Sequence, residues 1–275
     1  MKEYIIETKD LYYHYPDGTQ ALKGISLAIE KGKKIAIIGV NGSGKSTLFL
    51  NLNGVLKATS GKIFYEGKEL KYDKRSLMEV RKNVGIVFQN PESMLFSSNV
   101  FQEVSFGPMN LGYPVEEVKK QVVSSLEEVN MLEFQEKSVH FLSYGQKKRV
   151  SIADILAMKP KVMILDEPTS SLDPRHTRQL KELFEDLHRK GITVIISTHD
   201  VNLAYEWADE ILVMKDGKVV EFGASEEIFV KKELLFDCYL EQPYLVSLYE
   251  ELKKKGVLKK IGKLPKTQKE LLEMV

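Results

Sequence analysis

Cysteine is almost absent from the sequence, because Cys238 is the only one among 275 residues. A single cysteine excludes an internal disulfide and a metal site built on several thiolates, and such scarcity is typical of proteins from a reducing cytosol. Long apolar runs are also missing, since stretches such as IAIIGV and VMIL are far shorter than the roughly 18 residues of a membrane helix. The opening residues, MKEYIIETKD, carry charges where a signal peptide needs an apolar stretch. We therefore expect a cytosolic chain that reaches a membrane only through partners.

A strong excess of charge of either sign is likewise missing. Lys and Arg number 40 and Asp and Glu number 39, which leaves a net charge of +1. A nucleic-acid binder needs a basic surface that neutralises phosphates, so this balance argues against nucleic acid as the partner.

The apolar residues that are present form short runs that predict an α/β fold. Each run is apolar almost without alternation, as expected for parallel strands that helices cover on both faces. Helical periods lie between the runs, whereas the first 36 residues alternate and carry a PDG turn, which predicts a small antiparallel sheet. The runs are IIGV at 37–40, NVGIVF at 83–88, KVMIL at 161–165, ITVIIS at 192–197 and EILVM at 210–214.

The same patterns predict how the chain divides. Residues 98–158 read mostly as helix and stand between two core strands, so we expect a helical subdomain inserted at about 91–158. Beyond about residue 225 the sequence turns helical and rich in lysine. We therefore predict a core domain over residues 1–225 and a C-terminal helical extension over residues 226–275.

The stretch GVNGSGKST is the sharpest motif, since it fits G-x-x-x-x-G-K-[ST] from Gly39 to Ser46. It follows the strand KKIAII and opens a helix, as this phosphate-binding motif requires. Gly39, Gly42 and Gly44 let successive backbone N–H groups point at one anion, and the positive end of the helix adds to the attraction. Lys45 would reach the β- and γ-phosphates, and the Ser46 hydroxyl would bind Mg²⁺. The alternative is that the glycines only make a turn.

Two adjacent acids follow the strand in KVMILDEPTSSLD. Asp166 ends this strand, where ligands of parallel sheets bind, and it suits a carboxylate that holds Mg²⁺ through water. Glu167 comes next and would act as the general base that deprotonates an attacking water. The alternative is a plain strand exit with two solvated acids.

A histidine follows another predicted central strand, ITVIIS. His199 lies just past this strand and is expected at the same edge as Lys45 and Asp166, which makes a constellation suited to phosphoryl transfer. The sequence has five histidines, and we interpret the other four as structural.

Five motifs occur in the order GVNGSGKST, VGIVFQNP, LSYGQ, VMILDEPTSSLD and STHD. Over roughly residues 4–225 the chain therefore resembles an ATP-binding-cassette (ABC) ATPase. The resemblance implies a P-loop NTPase core with an N-terminal antiparallel β-subdomain, an inserted helical subdomain and a small C-terminal helical extension. It also implies ATP and Mg²⁺ as ligands.

The resemblance further implies residue roles. Tyr15 matches the aromatic residue that stacks on adenine, although a strand residue packed inward beside Tyr13 also fits the alternation. Gln89 matches the glutamine that meets Mg²⁺ and the attacking water and borders the groove for a membrane partner, and His199 matches the histidine that contacts the γ-phosphate.

The complete sets follow from the same resemblance. The residues implied in hydrolysis are Lys45, Gln89, Glu167 and His199. The residues implied in binding ATP are Tyr15, Gly39, Asn41, Gly42, Ser43, Gly44, Lys45, Ser46, Thr47, Ser143, Gly145, Gln146 and Asp173. The residues implied in holding Mg²⁺ are Ser46, Gln89 and Asp166.

The stretch LSYGQ starts a helix for which Ser143 is a good N-cap, and the helix start offers N–H groups and a positive dipole end. In the family this start faces the ATP of a second chain, and the loop matched by residues 171–173 (Ser171, Leu172 and Asp173) crosses the interface between the two. Tyr144 replaces the first glycine of the usual LSGGQ and would be strained if φ were positive there. We expect its side chain to be directed away from the phosphate.

Features outside the motifs indicate which kind of ABC protein this is. The chain has one cassette and no membrane helix, which favours a separate subunit that energises membrane partners. The segments GIVFQNP and PDGTQALKGISL and the ending SEEIFVKKELLFDCYL resemble the cobalt/nickel and energy-coupling-factor branch, whose ATPases drive uptake of metal ions or vitamins. Met94 departs from that branch, which usually has glutamine there. A soluble ABC ATPase that remodels a non-transport complex and a regulatory nucleotide-binding module remain as alternatives.

The implied partners are a second ATPase, identical or homologous, a transmembrane coupling subunit and a substrate-binding membrane subunit, which would place the chain at the cytoplasmic side of the membrane. Apolar residues of the C-terminal extension could pair the two ATPases or pack on their own domain. These residues are Leu234, Leu235, Leu240, Leu245, Leu248 and Leu252. The last residues, 252–275, have eight Lys against two Glu, and we expect this tail to be solvated, with an anionic surface as the alternative.

Overall fold

The computed structural model describes residues 3–259 and 262–275. Over these residues it has the predicted α/β architecture, with one larger and one smaller sheet. The strands are β1 (Tyr4–His14), β2 (Gln20–Glu30), β3 (Lys34–Ile38), β4 (Ser60–Tyr65), β5 (Lys68–Glu69), β6 (Val84–Val87), β7 (Val162–Leu165), β8 (Thr193–Thr198), β9 (Glu210–Lys215) and β10 (Lys218–Ala224). The helices are α1 (Lys45–Leu52), α2 (Lys74–Asn83), α3 (Val100–Asn110), α4 (Val115–Glu128), α5 (Tyr144–Leu156), α6 (Pro174–Arg189), α7 (Val201–Trp207), α8 (Ser225–Ile228), α9 (Lys232–Asp237), α10 (Tyr244–Lys254) and α11 (Gln268–Leu272).

The larger sheet has the strand order β10-β9-β3-β8-β7-β6, and all neighbours from β9 to β6 are parallel. Every residue of β6, β7 and β8 is buried, because helices cover one face and the smaller sheet together with α1 covers the other. This double burial explains why the sequence runs of these strands are apolar without alternation. Since β3, β8 and β7 are direct neighbours, the residues that follow them meet at one edge of the sheet.

The smaller sheet has the order β2-β1-β4-β5 and is antiparallel, as predicted for the start of the chain. Strands β4 and β5 follow α1 and therefore lie outside the 36 residues from which this sheet was predicted. They belong to it because Ile63 and Tyr65 of β4 are buried against Ile5 and Ile6 of β1 in one apolar cluster.

Helices α3, α4 and α5 lie between β6 and β7, in the region for which an inserted helical subdomain was predicted. The three helices pack together, and Val104, Val122 and Ile152 are fully buried. A short 3-10 turn, Pro91–Ser93, leads from β6 into this subdomain. None of the described helices is long and apolar enough to cross a membrane.

The C-terminal extension packs on the same chain. Of the leucines considered above for pairing two ATPases, Leu248 is exposed, at 47%. The others are buried or half-buried against the main core, which favours packing on their own domain. They are Leu234, Leu235, Leu240, Leu245 and Leu252.

The lysine-rich tail also differs from the expectation that it is solvated. The ammonium group of Lys266 donates to the carbonyl oxygens of Tyr205, at 3.0 Å, and Ala208, at 3.1 Å. The Tyr205 hydroxyl donates in turn to the carbonyl oxygen of Pro265 at 2.9 Å, and Leu271 is buried. The prediction was therefore wrong for this part of the tail, because Pro265 and Lys266 form hydrogen bonds with carbonyl and hydroxyl groups of the core.

Candidate functional site

Residues of the predicted site follow three neighbouring strands at one edge of the larger sheet. Lys45 follows β3 by way of the glycine-rich loop, and His199 follows β8 directly. Asp166 and Glu167 directly follow β7. A cavity of about 430 Å³ opens at this edge, and Lys45, both acids and Gln89 line it. The topology thus brings together side chains that are up to 154 positions apart in the sequence.

The glycine-rich loop has a backbone that other residues could not adopt here. Gly39 has a φ of +155°, and a Cβ atom there would lie 2.2 Å from the carbonyl oxygen of Met214. Gly44 has a φ of +103°, and its Cβ would lie 2.7 Å from the carbonyl oxygen of Ala21. Gly42 is left-handed as well and lines the cavity. Glycine is therefore needed in this loop for two reasons: a Cβ atom would collide with neighbouring carbonyl oxygens at Gly39 and Gly44, and φ is positive at all three positions.

Lys45 begins α1 and is buried beneath the loop. Its ammonium group donates to the carbonyl oxygens of Gly39, at 2.7 Å, and Val40, at 3.2 Å. Burial lowers the pKa of Lys45, while the nearby carboxylates of Glu167 and Asp166 act in the opposite direction. The side chain is thus a positive charge held at the floor of the cavity.

Ser46 and Asp166 join the first turn of α1 to the end of β7. The Ser46 hydroxyl donates to Oδ2 of Asp166 at 2.6 Å, and the Ser197 hydroxyl donates to Oδ1 at 2.5 Å. The sequence analysis assigned no role to Ser197. The strand register places it there, because Leu165 pairs with Ile196 and the next residues of the two strands are therefore adjacent.

Glu167 has a left-handed backbone, with a φ of 44°, which costs about 1–3 kcal/mol for a residue with a side chain. Local hydrogen bonds hold this conformation: the Glu167 N–H donates to Ser197 Oγ at 2.8 Å, and Ser170 Oγ donates to the Glu167 carbonyl at 2.8 Å. Nδ1 of His199 lies 3.0 Å from Oε2 of Glu167. A buried carboxylate that is hydrogen-bonded to an imidazole, on a backbone held in an unusual conformation, can act as a general base.

Tyr13 and Tyr15 have different surroundings. Tyr13 is buried in the core under the smaller sheet, whereas Tyr15 lines the cavity, and its hydroxyl lies 3.0 Å from Thr47 Oγ1. The two rings meet edge to face, with centroids 5.0 Å apart. Tyr15 is therefore placed where a flat ring could stack, with Tyr13 as its support.

The chemistry of these residues fits a nucleoside triphosphate and Mg²⁺. The hydroxyl of Ser46 and the carboxylate of Asp166 are adjacent oxygen ligands of the kind that Mg²⁺ prefers. Asn41 lines the cavity as well. The Ser43 hydroxyl is buried and has no hydrogen-bond partner among the described residues, so the loop holds a polar group for a ligand.

The start of α5 confirms the predicted N-cap. The Gln146 N–H donates to Ser143 Oγ at 3.3 Å, and the Ser143 N–H donates to Gln146 Oε1 at 3.0 Å, which makes a capping box. Neither of these residues nor Gly145 lines the cavity of their own chain. The amide oxygen of Gln146 is used by the cap, and the ATP contact that the resemblance implies for this residue stays a prediction.

Asp173 has a role within its own chain. Its carboxylate accepts the N–H groups of Arg175 and His176, both at 2.9 Å, and so caps α6. The backbone N–H of His176 holds the pKa of Asp173 below its usual range, and the His176 ring lies 2.5 Å from the same carboxylate. The preceding Ser171 is exposed, with a left-handed φ of 62°.

Tyr144 is not strained, because it begins a regular helix and its φ is not positive. Its hydroxyl donates to the carbonyl oxygen of Gln89 at 3.2 Å. Lys148, one turn later, donates to the same oxygen at 2.7 Å and is fully buried. Burial lowers the pKa of Lys148 to about 8, against the influence of the two acids after β7. The sequence analysis missed Lys148, because only the fold shows that this lysine is turned inward.

Comparison with known proteins identifies the family. Residues 22–170, more than half of the chain, match the family described as ABC transporter. The energy-coupling factor transporter ATP-binding protein EcfA of Methanosphaera stadtmanae is 52% identical over 250 residues, which cover 91% of this chain and 90% of that protein. The protein of the same name from Methanocaldococcus jannaschii is 52% identical over 252 residues, or 92% and 90% of the two chains.

Solved structures agree with this match. CbiO1 of Clostridium perfringens, described as part of the ABC transporter complex CbiONQ, superposes with a TM-score of 0.77 at 44% identity and covers 90% of this chain and 100% of its own. A dimeric ATP-binding cassette bound to ADP and Pi superposes with a TM-score of 0.74 at 28% identity, over 80% of this chain and 99% of that chain. The chain therefore belongs to the ABC transporter family, among the energy-coupling factor ATP-binding subunits, and is an ATP hydrolase coupled to transport.

Proposed function

We propose that two such subunits close on ATP between them and thereby drive a membrane importer for cobalt, another metal ion or a vitamin. One observation carries the proposal. The phosphate loop and the two acids line one cavity, and His199 is hydrogen-bonded to Glu167 beside it, whereas the capped start of α5 lies outside this cavity in the same chain. A site whose second half is presented elsewhere on the surface is completed when a second copy, or a homologous ATPase, packs head to tail.

Within this site the residues divide the work of hydrolysis. Tyr15 stacks on the adenine, and Lys45 binds the β- and γ-phosphates. Ser46 and Asp166 hold Mg²⁺, with the side chain of Gln89 at the same cavity. When bound there, Mg²⁺ neutralises charge on the phosphates.

The water that attacks the γ-phosphate loses its proton to Glu167, whose backbone is held by the Ser197 hydroxyl and whose carboxylate is hydrogen-bonded to His199. His199 orients this carboxylate through Nδ1 and directs its other ring nitrogen to the γ-phosphate. Ser143 and Gly145 of the second subunit approach the same phosphate with the positive end of α5.

The groove between α2 and α3 is the proposed docking site for the transmembrane coupling subunit. It has a volume of about 520 Å³, and its lining combines apolar side chains with the cationic ones of Lys74, Arg81 and Lys82. Of the apolar residues, Met78 is 44% exposed and Phe106 is 48% exposed. Phe106 packs edge to face on the exposed Phe96, with centroids 4.9 Å apart. Exposed apolar surface of this kind favours a protein partner, such as an amphipathic helix laid into the groove.

Gln89 connects the docking groove to the ATP site. The Phe88 N–H donates to the thioether sulfur of Met94 at 3.3 Å, which ties the segment after β6 to the loop that leads to Phe96. We infer that docking on this side moves Gln89. The transported substrate is handled by the membrane partners, and the ATPase works at the cytoplasmic side of the membrane through them.

The central experiment uses the Glu167→Gln variant, which loses the base but keeps the shape of the site. We expect it to bind ATP as the wild type does, to lose turnover by at least about a hundredfold and to form a stable dimer with ATP in size-exclusion chromatography. A variant that stays monomeric at saturating ATP, in the presence of Mg²⁺, would contradict the shared site.

The docking groove is tested by co-purification with the membrane subunits. Met78→Glu places a charge in the apolar groove, so we expect loss of the complex with ATP binding unchanged. Val115→Glu, at an apolar residue that is 65% exposed on α4, is the matched control and should leave the complex intact. Uptake of labelled cobalt, nickel or vitamins by the reconstituted complex then identifies the substrate, and an ATPase that forms no membrane complex would indicate a remodelling role instead.

A further inference from the structure

The first two turns of α5 are attached to the segment after β6 by two side chains that donate to the same carbonyl oxygen. Tyr144 Oη and Lys148 Nζ both donate to the carbonyl oxygen of Gln89, at 3.2 Å and 2.7 Å, and Lys148 also donates to that of Phe88 at 3.2 Å. The two side chains are four residues apart and therefore lie on one face of the helix.

Burial makes this attachment specific. Lys148 is 0% exposed, so its ammonium group depends on hydrogen bonds from within the protein, and it donates to the carbonyl oxygens of the successive residues Phe88 and Gln89. An ammonium group on a backbone carbonyl is a charge-assisted bond and is stronger than a neutral one. The position of the Gln89 backbone therefore follows the position of α5.

A third connection joins the same two segments. Lys147 Nζ lies 2.7 Å from a carboxylate oxygen of Glu92, in the 3-10 turn that follows Gln89. The turn is held by the Asn90 side chain, which accepts the Glu92 N–H at 3.0 Å. Residues 88–92 and the first turns of α5 are thus joined by three successive contacts.

The other sides of the same helix start are directed elsewhere. A Cβ atom on Gly145 would lie 3.5 Å from the ring of His176, at the start of α6, and Ser143 is exposed at the helix end. The start of α5 therefore contacts the Gln89 turn of its own chain on one side, while Ser143 of the LSYGQ motif is exposed to solvent on another.

We propose that Tyr144 and Lys148 are positioning residues that make the Gln89 turn and the LSYGQ motif move as one body. The inference rests on the proposed function, in which Gln89 serves the ATP site of its own chain and LSYGQ serves that of the partner. Under this arrangement the state of one site sets the position of the motif that completes the other. It also gives Tyr144 a role that the usual glycine at this position could not perform, since glycine has no hydroxyl to donate.

Tyr144→Phe tests the proposal, because it keeps the ring and removes only the shared hydrogen bond. In the full-length chain we expect the ATPase kcat to fall about two- to tenfold, the loss expected for one hydrogen bond, with the KM for ATP within about twofold. Tyr244→Phe is the matched control. Tyr244 lies on the remote helix α10, and its hydroxyl donates to Glu206 of α7 at 3.4 Å, so this variant should have the kcat and KM of the wild type.

Hydrogen exchange separates a positioning role from a merely structural one. In the Glu167→Gln background ATP should slow amide exchange over residues 88–92 and over residues 143–149. Adding Tyr144→Phe should reduce the ATP-dependent slowing over 88–92 at least about twofold, while the amount of dimer stays the same. A merely structural contact would speed exchange over 88–92 equally with and without ATP and leave this difference unchanged, which would overturn the proposal.

A second variant keeps the test decisive if Tyr144→Phe is poorly folded. Glu92→Gln breaks the exposed pair with Lys147 and should reduce the same ATP-dependent slowing, and an unchanged difference there would also count against the proposal. The outcome is separable from the proposed function. If Glu167→Gln fails to dimerise with ATP, the shared site itself is wrong; if it dimerises and neither variant changes the slowing, only the coupling is wrong.

Discussion

Nδ1 of His199 lies 3.0 Å from Oε2 of Glu167, across the ends of β8 and β7. The side chain of Glu167 is 10% exposed, whereas that of His199 is 72% exposed. Hydrogen bonds to Ser197 and Ser170 hold the Glu167 backbone, and the imidazole is the hydrogen-bond partner that orients its carboxylate. Removing the imidazole should leave the carboxylate present but less well oriented.

We accordingly expect His199→Ala to lower kcat by about a hundredfold, within the range of lost acid–base assistance, and to change the KM for ATP by less than about threefold. Steady-state ATPase assays measure both constants. His14→Ala is the matched control, since His14 is an exposed histidine on β1, and it should leave kcat unchanged. A His199→Ala enzyme with wild-type kcat would remove His199 from the site.

Lys45→Ala should lose both ATP binding and turnover. The substitution deletes the buried positive charge that is proposed to bind the phosphates. Titration with a fluorescent ATP analogue should show a Kd raised at least about tenfold. Lys31→Ala, at the opposite end of β3 and paired with the exposed Glu3, should bind normally. Retained ATPase activity in Lys45→Ala would overturn the assignment of the phosphate loop.

Ser197→Ala should cost both stability and activity. The Ser197 hydroxyl donates to Asp166 and accepts the Glu167 N–H, so its loss leaves two buried polar groups without this partner. We expect a loss of about 1–3 kcal/mol in the free energy of unfolding, measured by chemical denaturation, together with a lower kcat. Ser197→Thr keeps the hydroxyl and should retain more activity than Ser197→Ala. Equal activity of the two variants would contradict a role for the hydroxyl.

The carboxyl group of Asp154 should make the free energy of unfolding depend on pH. This acid lies in the docking groove, where burial, with a smaller contribution from Glu103, raises its pKa to about 7 from 3.8. The folded chain thus keeps the proton in a pH range where the unfolded chain has lost it, so this group makes folding less favourable as the pH rises from about 4 to 7.

Asp154→Asn cannot ionise and should be more stable than the wild type by about 1–2 kcal/mol at pH 8, with the difference closing near pH 4. Urea denaturation at both pH values measures this difference. Asp237→Asn, at an exposed position of the C-terminal extension, serves as the control for the same substitution. A constant difference between Asp154→Asn and the wild type at the two pH values would contradict the raised pKa.

The sequence predicts the parts of this protein whose physical cause is local or periodic. Unbroken apolar runs indicate strands covered on both faces, and because parallel strands end at one edge, Lys45, Asp166 and His199 could be expected together. The N-cap at Ser143 follows from residue type alone.

Contacts between distant segments could not be predicted in the same way. Lys148 reaches the Gln89 carbonyl across 59 positions, and in the sequence it is one of several similar lysines. Ser197 meets Asp166 only because β8 lies beside β7. In both cases the side chain gains its role from an inward direction that depends on tertiary packing.

The tail of the chain has a consequence for the helix that follows His199. The carbonyl groups at the end of α7 lack partners within the helix, and Lys266 supplies donors to Tyr205 and Ala208 from 61 and 58 positions further along the chain. The lysine thus works as a remote C-cap, with its positive charge at the negative end of the helix dipole. A peptide that ends before residue 264 would lack this cap and leave the C-terminal end of α7 to fray, so the C-terminal segment stabilises the helix that follows His199.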